Sequence, residues 1–279
     1  MKRFLALILV VLLAGLLLCG CGGEGETQAA PTAQSGGATQ APASEAVSAP
    51  AQTAGTEPRQ TEAAPTEPPV MVDPSWFDDA VFIGDSVTVA LDYYCASDYD
   101  ILGDAQFVCG VSLGYHNALW ELDSEYAVHP TYRGETVLAE TAAEITGADK
   151  VFVMLGVNDI GTYGADDTME AASELVDRIL TRTPDVEIYM QSTTPMIDDQ
   201  ESGWLNNDKI SDFNEQLKAY CEENGYHFID IYHRICDEEG DLPEEYCSDV
   251  DVQGIHFNNE GCGIWADFLK ASVADSNSH

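Results

Sequence analysis

The chain has 279 residues, with 49 acids against 11 bases and a formal net charge of −38. So strong an acidic excess excludes nucleic acid and other polyanions as partners. The first 70 residues hold six Glu and three bases, which leaves 43 acids and 8 bases, a net of about −35, on the remainder. The simplest reading of that charge is a solvated acidic surface, since no Asp-x-Asp-x-Asp-Gly calcium loop is present.

At the N-terminus, Lys2 and Arg3 precede an apolar run over residues 4–18 that ends in Leu18, Cys19, Gly20 and Cys21. A charged start, a short apolar core and small residues after it mark a secretory signal. The run is shorter than the roughly 20 apolar residues a spanning helix needs. Its end resembles a bacterial lipobox, which is cleaved before the cysteine. That resemblance implies a signal peptide over 1–20 and a diacylglyceryl group on Cys21. Cys19 fits less well, because bulky Leu18 would precede it. A lipid with more than one chain holds a soluble domain at a membrane surface. The expected location is therefore extracytoplasmic, anchored through Cys21 to the bacterial cell membrane.

Residues 21–69 follow as a tether of Gly, Ala, Pro, Thr, Ser, Gln and Glu, with Val47 its only large aliphatic residue. Such a composition buries too little apolar surface to offset ordering entropy, so a disordered, semi-flexible linker is expected. From residue 70 to 279 the composition is that of one folded domain. Setting aside Cys19 and Cys21, six cysteines remain: Cys95, Cys109, Cys221, Cys236, Cys247 and Cys262. Free thiols are expected in a chain too large to need staples; of the fifteen possible pairings, Cys236 with Cys247 is the first to test, since both flank one short acidic loop. None has zinc spacing, and no metal or cofactor is expected.

Within the domain, apolar runs alternate with helical periodicity. Strands are predicted over 80–83, 106–111, 151–155, 186–190 and 226–231. Helices are predicted over 87–94 and 135–145, then around Met169 to Leu180, Ile210 to Tyr220, and Ile264 to Leu269. Five strands alternating with helices imply a parallel sheet covered on both faces. In such folds ligands bind beyond the carboxyl ends of the strands.

Four clusters fall at those ends. Gly84-Asp85-Ser86 follows the first strand, where a turn into a helix can expose a hydroxyl. Gly110 follows the second strand. Gly156-Val157-Asn158-Asp159 follows the third, and Gly254-Ile255-His256-Phe257-Asn258 precedes the last helix. Each alone is equally an ordinary turn or helix cap. In this order and at these places they resemble the SGNH, or GDSL-type, hydrolases over about residues 75–272.

The resemblance implies a three-layer α/β/α sandwich with a five-stranded parallel sheet, a flavodoxin-like arrangement, and a serine esterase activity. Ser86 would be the nucleophile and His256 its base. The Ser86 and Gly110 N–H groups and the Asn158 amide would form the oxyanion hole. Asp159 would tie down its own loop rather than touch substrate. The family usually places an Asp three residues before the His, and here that residue is Gln253. Asp251 and Asp249 are close but out of step, so Gln253 or a main-chain carbonyl is expected to orient His256.

The expected substrate is a small acyl ester or an acylated glycan, with acetyl removal from polysaccharide or cell wall foremost. An O-acyltransferase using the same residues, and a non-catalytic glycan-binding lipoprotein, remain as alternatives. A monomer is expected.

Overall fold

The computed structural model describes residues 69–276. The expected signal peptide, Cys21 and all of the linker but its last residue lie outside the described residues. In chain order the elements are β1 (Ala80–Gly84), α1 (Ser86–Cys95), β2 (Gln106–Cys109), α2 (Tyr115–Ala118), β3 (Thr131–Tyr132), β4 (Glu135–Thr136) and α3 (Ala142–Thr146). Then come β5 (Lys150–Met154), α4 (Ile160–Arg182), β6 (Glu187–Gln191), α5 (Asn207–Asn224), β7 (His227–Ile229), α6 (Ile231–Ile235) and α7 (Asn259–Ser276). The sheet order is β4-β3-β2-β1-β5-β6-β7. The five central strands run parallel, as the sequence implies, while β3 and β4 are antiparallel.

The sheet separates two apolar layers by the alternation of its side chains. Val81, Ile83, Val151, Val153, Ile188 and Met190 pack towards α3, α4 and α5, meeting Leu175, Phe213 and Leu217 among others. Ala80, Phe82, Phe152, Met154 and Tyr189 face the other way, towards Leu91 of α1 and Trp265 and Leu269 of α7. Both faces are thus covered, which is why the central strands read as unbroken apolar runs.

Register is marked by a ladder of stacked rings across all five parallel strands. Phe107, Phe82, Phe152, Tyr189 and His227 are successive register partners. Their ring centroids lie 5.1, 4.6, 4.5 and 4.4 Å apart and are nearly coplanar in orientation. A slip of one residue on any strand would send its ring to the opposite face and break the ladder.

Three expectations need correction. The sheet has seven strands rather than five, because a two-residue hairpin adds β3 and β4 at one edge. Its turn places Arg133 at φ 51° and Gly134 at φ 87°, the positive pair that a tight hairpin requires. The helix predicted over 135–145 begins instead as β4 and becomes helical only at Ala139–Thr141 and α3. The strand predicted over 226–231 ends at Ile229, because Asp230 accepts the His233 N–H at 3.1 Å and starts α6.

The start of α1 carries an acid inside the core. Asp85 is 1 % exposed and caps the helix by accepting the Val87 N–H at 2.9 Å. Burial pushes its carboxyl up to about 7, against the pull of the Val87 N–H and nearby His256. A carboxyl raised in the folded state contributes stability that is complete below its unfolded value and is lost as pH rises through about 7. Asn caps a helix as well as Asp does and has no proton to lose. Asp85→Asn should therefore melt higher than wild type at pH 8.5, by about 3 °C for roughly 1 kcal/mol in a domain of this size. The gain should vanish at pH 5, so thermal melts across that range decide the matter; a variant equally or less stable at pH 8.5 would refute the assignment.

Candidate active site

The carboxyl ends of β1 and β5 and the segment before α7 converge at one end of the sheet. Ser86 is the first residue of α1, where N–H groups lack intrahelical acceptors and the helix favours negative charge. Its Oγ lies 2.8 Å from His256 Nε2, and both residues are partly exposed. Gly84, just before the turn, leaves room for Thr88: a Cβ there would lie 1.9 Å from the Thr88 hydroxyl oxygen.

The acid on the far side of the imidazole is Asp249. Its Oδ2 lies 2.7 Å from His256 Nδ1, and its Oδ1 accepts the N–H groups of Ile255 and His256 at 3.2 and 3.0 Å. The Cys247 thiol donates to the same Oδ1 at 3.2 Å. Burial raises the Asp249 carboxyl, but these donors, led by the imidazole, more than offset it and hold it below the usual carboxylate range. An ionised carboxylate can only accept, so Nδ1 carries the proton and Nε2 is left to accept the Ser86 hydroxyl.

Gln253, expected to orient His256, does not do so, and Asp249, set aside as out of step, does; Gln253 and Asp251 are both exposed at the tip of the loop. The reason lies in the chain path. Cys247 and Phe257 form an antiparallel bridge, and the Ser248 N–H donates to the His256 carbonyl at 2.8 Å. Between them the chain coils on the Asp249 carbonyl, which accepts the N–H groups of Val252, Gln253 and Gly254. Gly254, at φ 67°, closes the coil. A separation of seven residues therefore becomes a cross-strand contact at the mouth of a small loop. Position three before the histidine points away.

Gly110 also departs from expectation. Its N–H donates to the Gly84 carbonyl at 3.0 Å, extending the β1–β2 ladder, so it is committed to the sheet rather than offered to an oxyanion. The His129–Pro130 backbone packs closely on it, reaching 3.1 and 3.2 Å from where a Cβ would stand, so a side chain there would have to push that backbone aside by a few tenths of an ångström. Asn158 donates one side-chain N–H to the Leu113 carbonyl at 3.0 Å, which fixes the amide.

Asp159 ties down a more distant element than its own loop. Its carboxylate accepts the N–H groups of Tyr115 and His116 at 2.8 and 3.1 Å, holding the start of α2, and meets His116 Nδ1 at 3.1 Å. Burial raises its carboxyl despite those donors. Gly114 makes the approach possible, since a Cβ there would lie 2.5 Å from the carboxylate. The six cysteines between Cys95 and Cys262 are free thiols, Cys236 and Cys247 included.

A hydroxyl, an imidazole and a carboxylate in hydrogen-bonded sequence, set at the carboxyl edge of a parallel sheet, define a serine acylhydrolase. The family model of the GDSL-like lipase/acylhydrolase family matches residues 82–264, and the chain belongs to that family. No curated protein sequence matches the chain. Among solved structures it is similar to a GDSL-like lipase from Bacteroides thetaiotaomicron, at 15 % identity and a TM-score of 0.53, covering 74 % of this chain and 93 % of that one. It is also similar to a protein classed as an acylhydrolase from Bacteroides fragilis, at 16 % identity and a TM-score of 0.52, covering 71 % and 86 %. At such identities the likeness is one of fold.

The loop geometry makes a sharp forecast. Asp249→Asn should lower kcat/KM for p-nitrophenyl acetate by about 10³–10⁴, the effect of losing the carboxylate that holds a catalytic imidazole. Gln253→Ala and Asp251→Asn should stay within about twofold, under roughly 0.5 kcal/mol of barrier. The reverse ranking would mean that the loop is arranged differently during turnover.

Proposed function

We propose that this acylhydrolase is an extracytoplasmic serine esterase that removes acetyl or other small acyl groups from polysaccharide or cell-wall glycan. The observation that carries the chemistry is the relay from Ser86 Oγ through His256 to Asp249. In the first half-reaction Ser86 Oγ attacks the ester carbonyl while its proton passes to His256 Nε2. Asp249 stabilises the imidazolium. The oxyanion forms beside the N–H at the start of α1 and the Asn158 amide, and preorganised donors of this kind are worth about 10²–10³ in rate each. Collapse expels the sugar alcohol, which takes the proton from Nε2, and leaves an acyl-Ser86. Water then attacks the acyl carbon, giving its proton to Nε2. The carboxylic acid departs and the proton returns to Ser86.

The glycan reading is supported by the N-terminal sequence, with its lipobox-like Cys21 and long tether, which suits work on polymers outside the cytoplasm. A partly exposed serine and histidine suit a bulky substrate that presents an ester at its surface. Among the described residues no helix is long and apolar enough to cross a membrane, so in this reading the lipid on Cys21 is the anchor.

Full-length protein should release acetate from acetylated xylan and be labelled by a fluorophosphonate, and Ser86→Ala should abolish both. Labelling of Ser86→Ala equal to wild type would remove Ser86 from the mechanism. In a bacterial host the protein should partition with membranes and carry a lipid-modified N-terminus at Cys21, whereas Cys21→Ala should not be lipidated. An unmodified mature N-terminus elsewhere would overturn the anchor.

A further inference from the structure

Trp204 has no place in the relay, yet it is 54 % exposed on a segment held unusually firmly. The Trp204 and Leu205 N–H groups both donate to the Ser202 hydroxyl at 3.2 Å, and the Ser202 N–H donates to the Leu205 carbonyl at 2.8 Å. Lys209 Nζ donates to the carbonyls of Gly203 and Trp204 at 2.7 and 2.8 Å. Upstream, the same segment supports the histidine loop: Ile197 N–H donates to the Gly254 carbonyl, and the Gln200 amide donates to the Val250 carbonyl, both at 2.9 Å. One braced stretch therefore joins the loop of Asp249 and His256 to the indole of Trp204.

The indole lies flat on backbone. A Cβ on Gly161 would stand 2.7 Å from Trp204 Cδ2 and Cε2 and 3.0 Å from Cε3, so only glycine lets the ring settle there. Gly161 stands in the first turn of α4, three residues beyond Asn158. Asn158 in turn follows β5, which lies beside β1, the strand that leads to Ser86. The ring therefore stands at the same end of the sheet as the nucleophile.

We propose that Trp204 is a sugar-stacking platform that receives a pyranose ring adjoining the acylated residue of the substrate. This inference rests on the esterase reading above and names how that site would select a glycan. One ring covered on one side and open on the other is a plate rather than a groove. A plate suits the flat C–H face of a pyranose, whose hydroxyls stay in water. An acyl chain, by contrast, needs walls to remove its methylenes from solvent. The bracing removes loop-ordering cost from binding, which is what a pre-formed contact contributes. With the ring on Trp204, an ester on the neighbouring sugar reaches Ser86.

The test compares two substrates across variants of the full chain. Trp204→Ala should lower kcat/KM for acetylated xylo-oligosaccharides at least about tenfold more than for p-nitrophenyl acetate, and mainly through KM, a difference of about 1.4 kcal/mol. Trp204→Phe should recover most of that loss, since a flat ring is restored. Equal losses on both substrates would make Trp204 a structural residue and overturn the platform. A loss greatest on p-nitrophenyl octanoate would reassign it to an acyl chain and overturn it as well. If wild type deacetylates the oligosaccharide and Trp204→Ala does so equally well, the platform fails while the esterase reading stands. If wild type cleaves p-nitrophenyl acetate but no acetylated glycan, the glycan reading fails and the platform with it.

Discussion

The carboxylate of Asp249 carries more of this site than any other group. It accepts from the imidazole, from two backbone N–H groups and from the Cys247 thiol, so the side chain that orients His256 also shapes the loop that presents it. Orientation and loop closure are one interaction. A neutral amide in its place would lose the charge that offsets an imidazolium; with its oxygen kept on the backbone N–H groups, its NH2 would face His256 Nδ1 and force the proton to Nε2, the wrong tautomer for a base. The local cost of holding an ion in a part-buried place is met by charge-assisted hydrogen bonds, which are roughly twice as strong as neutral ones.

Beneath the nucleophile the arrangement is costlier. Asp85 and Asp159 are both almost wholly buried, and each holds the start of a helix: Asp85 that of α1, Asp159 that of α2. Short polar side chains at helix starts satisfy N–H groups that would otherwise be orphaned. Here the Asp85 cap sets the first turn of α1 beside β1, and the Asp159 contact ties α2 to the start of α4. Burial raises both carboxyls, so the core near Ser86 favours their neutral forms more than solvent does. Polar strain is concentrated under the chemistry, while the rest of the sheet is held by apolar packing and the ladder of rings from Phe107 to His227.

Much of this was legible in the sequence, and the parts that were not share a physical cause. The central strands declare themselves because both their faces are covered, so they show continuous apolar runs. Ser86, Asn158 and His256 declare themselves because each stands in a cluster of turn residues at a strand or helix boundary. The hairpin of β3 and β4 did not, since two-residue strands carry no periodicity and only the turn at Arg133 and Gly134 marks them. Asp249 was hidden for another reason. Counting back from the histidine assumes an extended or helical path, and this chain instead coils around the Asp249 carbonyl before returning. Gly254 is the local sign of that return, but a single glycine does not specify how far back the partner lies.

Gly110 shows the opposite error, in which a residue of the right type is employed for something else. A glycine after β2 suits an oxyanion donor because its backbone can come close to a substrate. The same property lets another part of the chain come close, and here the His129–Pro130 backbone does so while the Gly110 N–H continues the ladder to Gly84. In the proposed mechanism the oxyanion donors are therefore the start of α1 and the Asn158 amide, whose other N–H is held by the connection between β2 and α2. That connection turns through Ser112 at φ 62°, a conformation costly for a residue with a side chain. Strain at such a point persists only where its surroundings impose it. Two of those surroundings act just beyond the turn: Leu113, whose carbonyl fixes Asn158, and Asp159, whose carboxylate fixes the first residues of α2. Neighbouring residues after β5, Asn158 and Asp159, thus hold the loop after β2 where it runs into α2, and the two loops are locked together there.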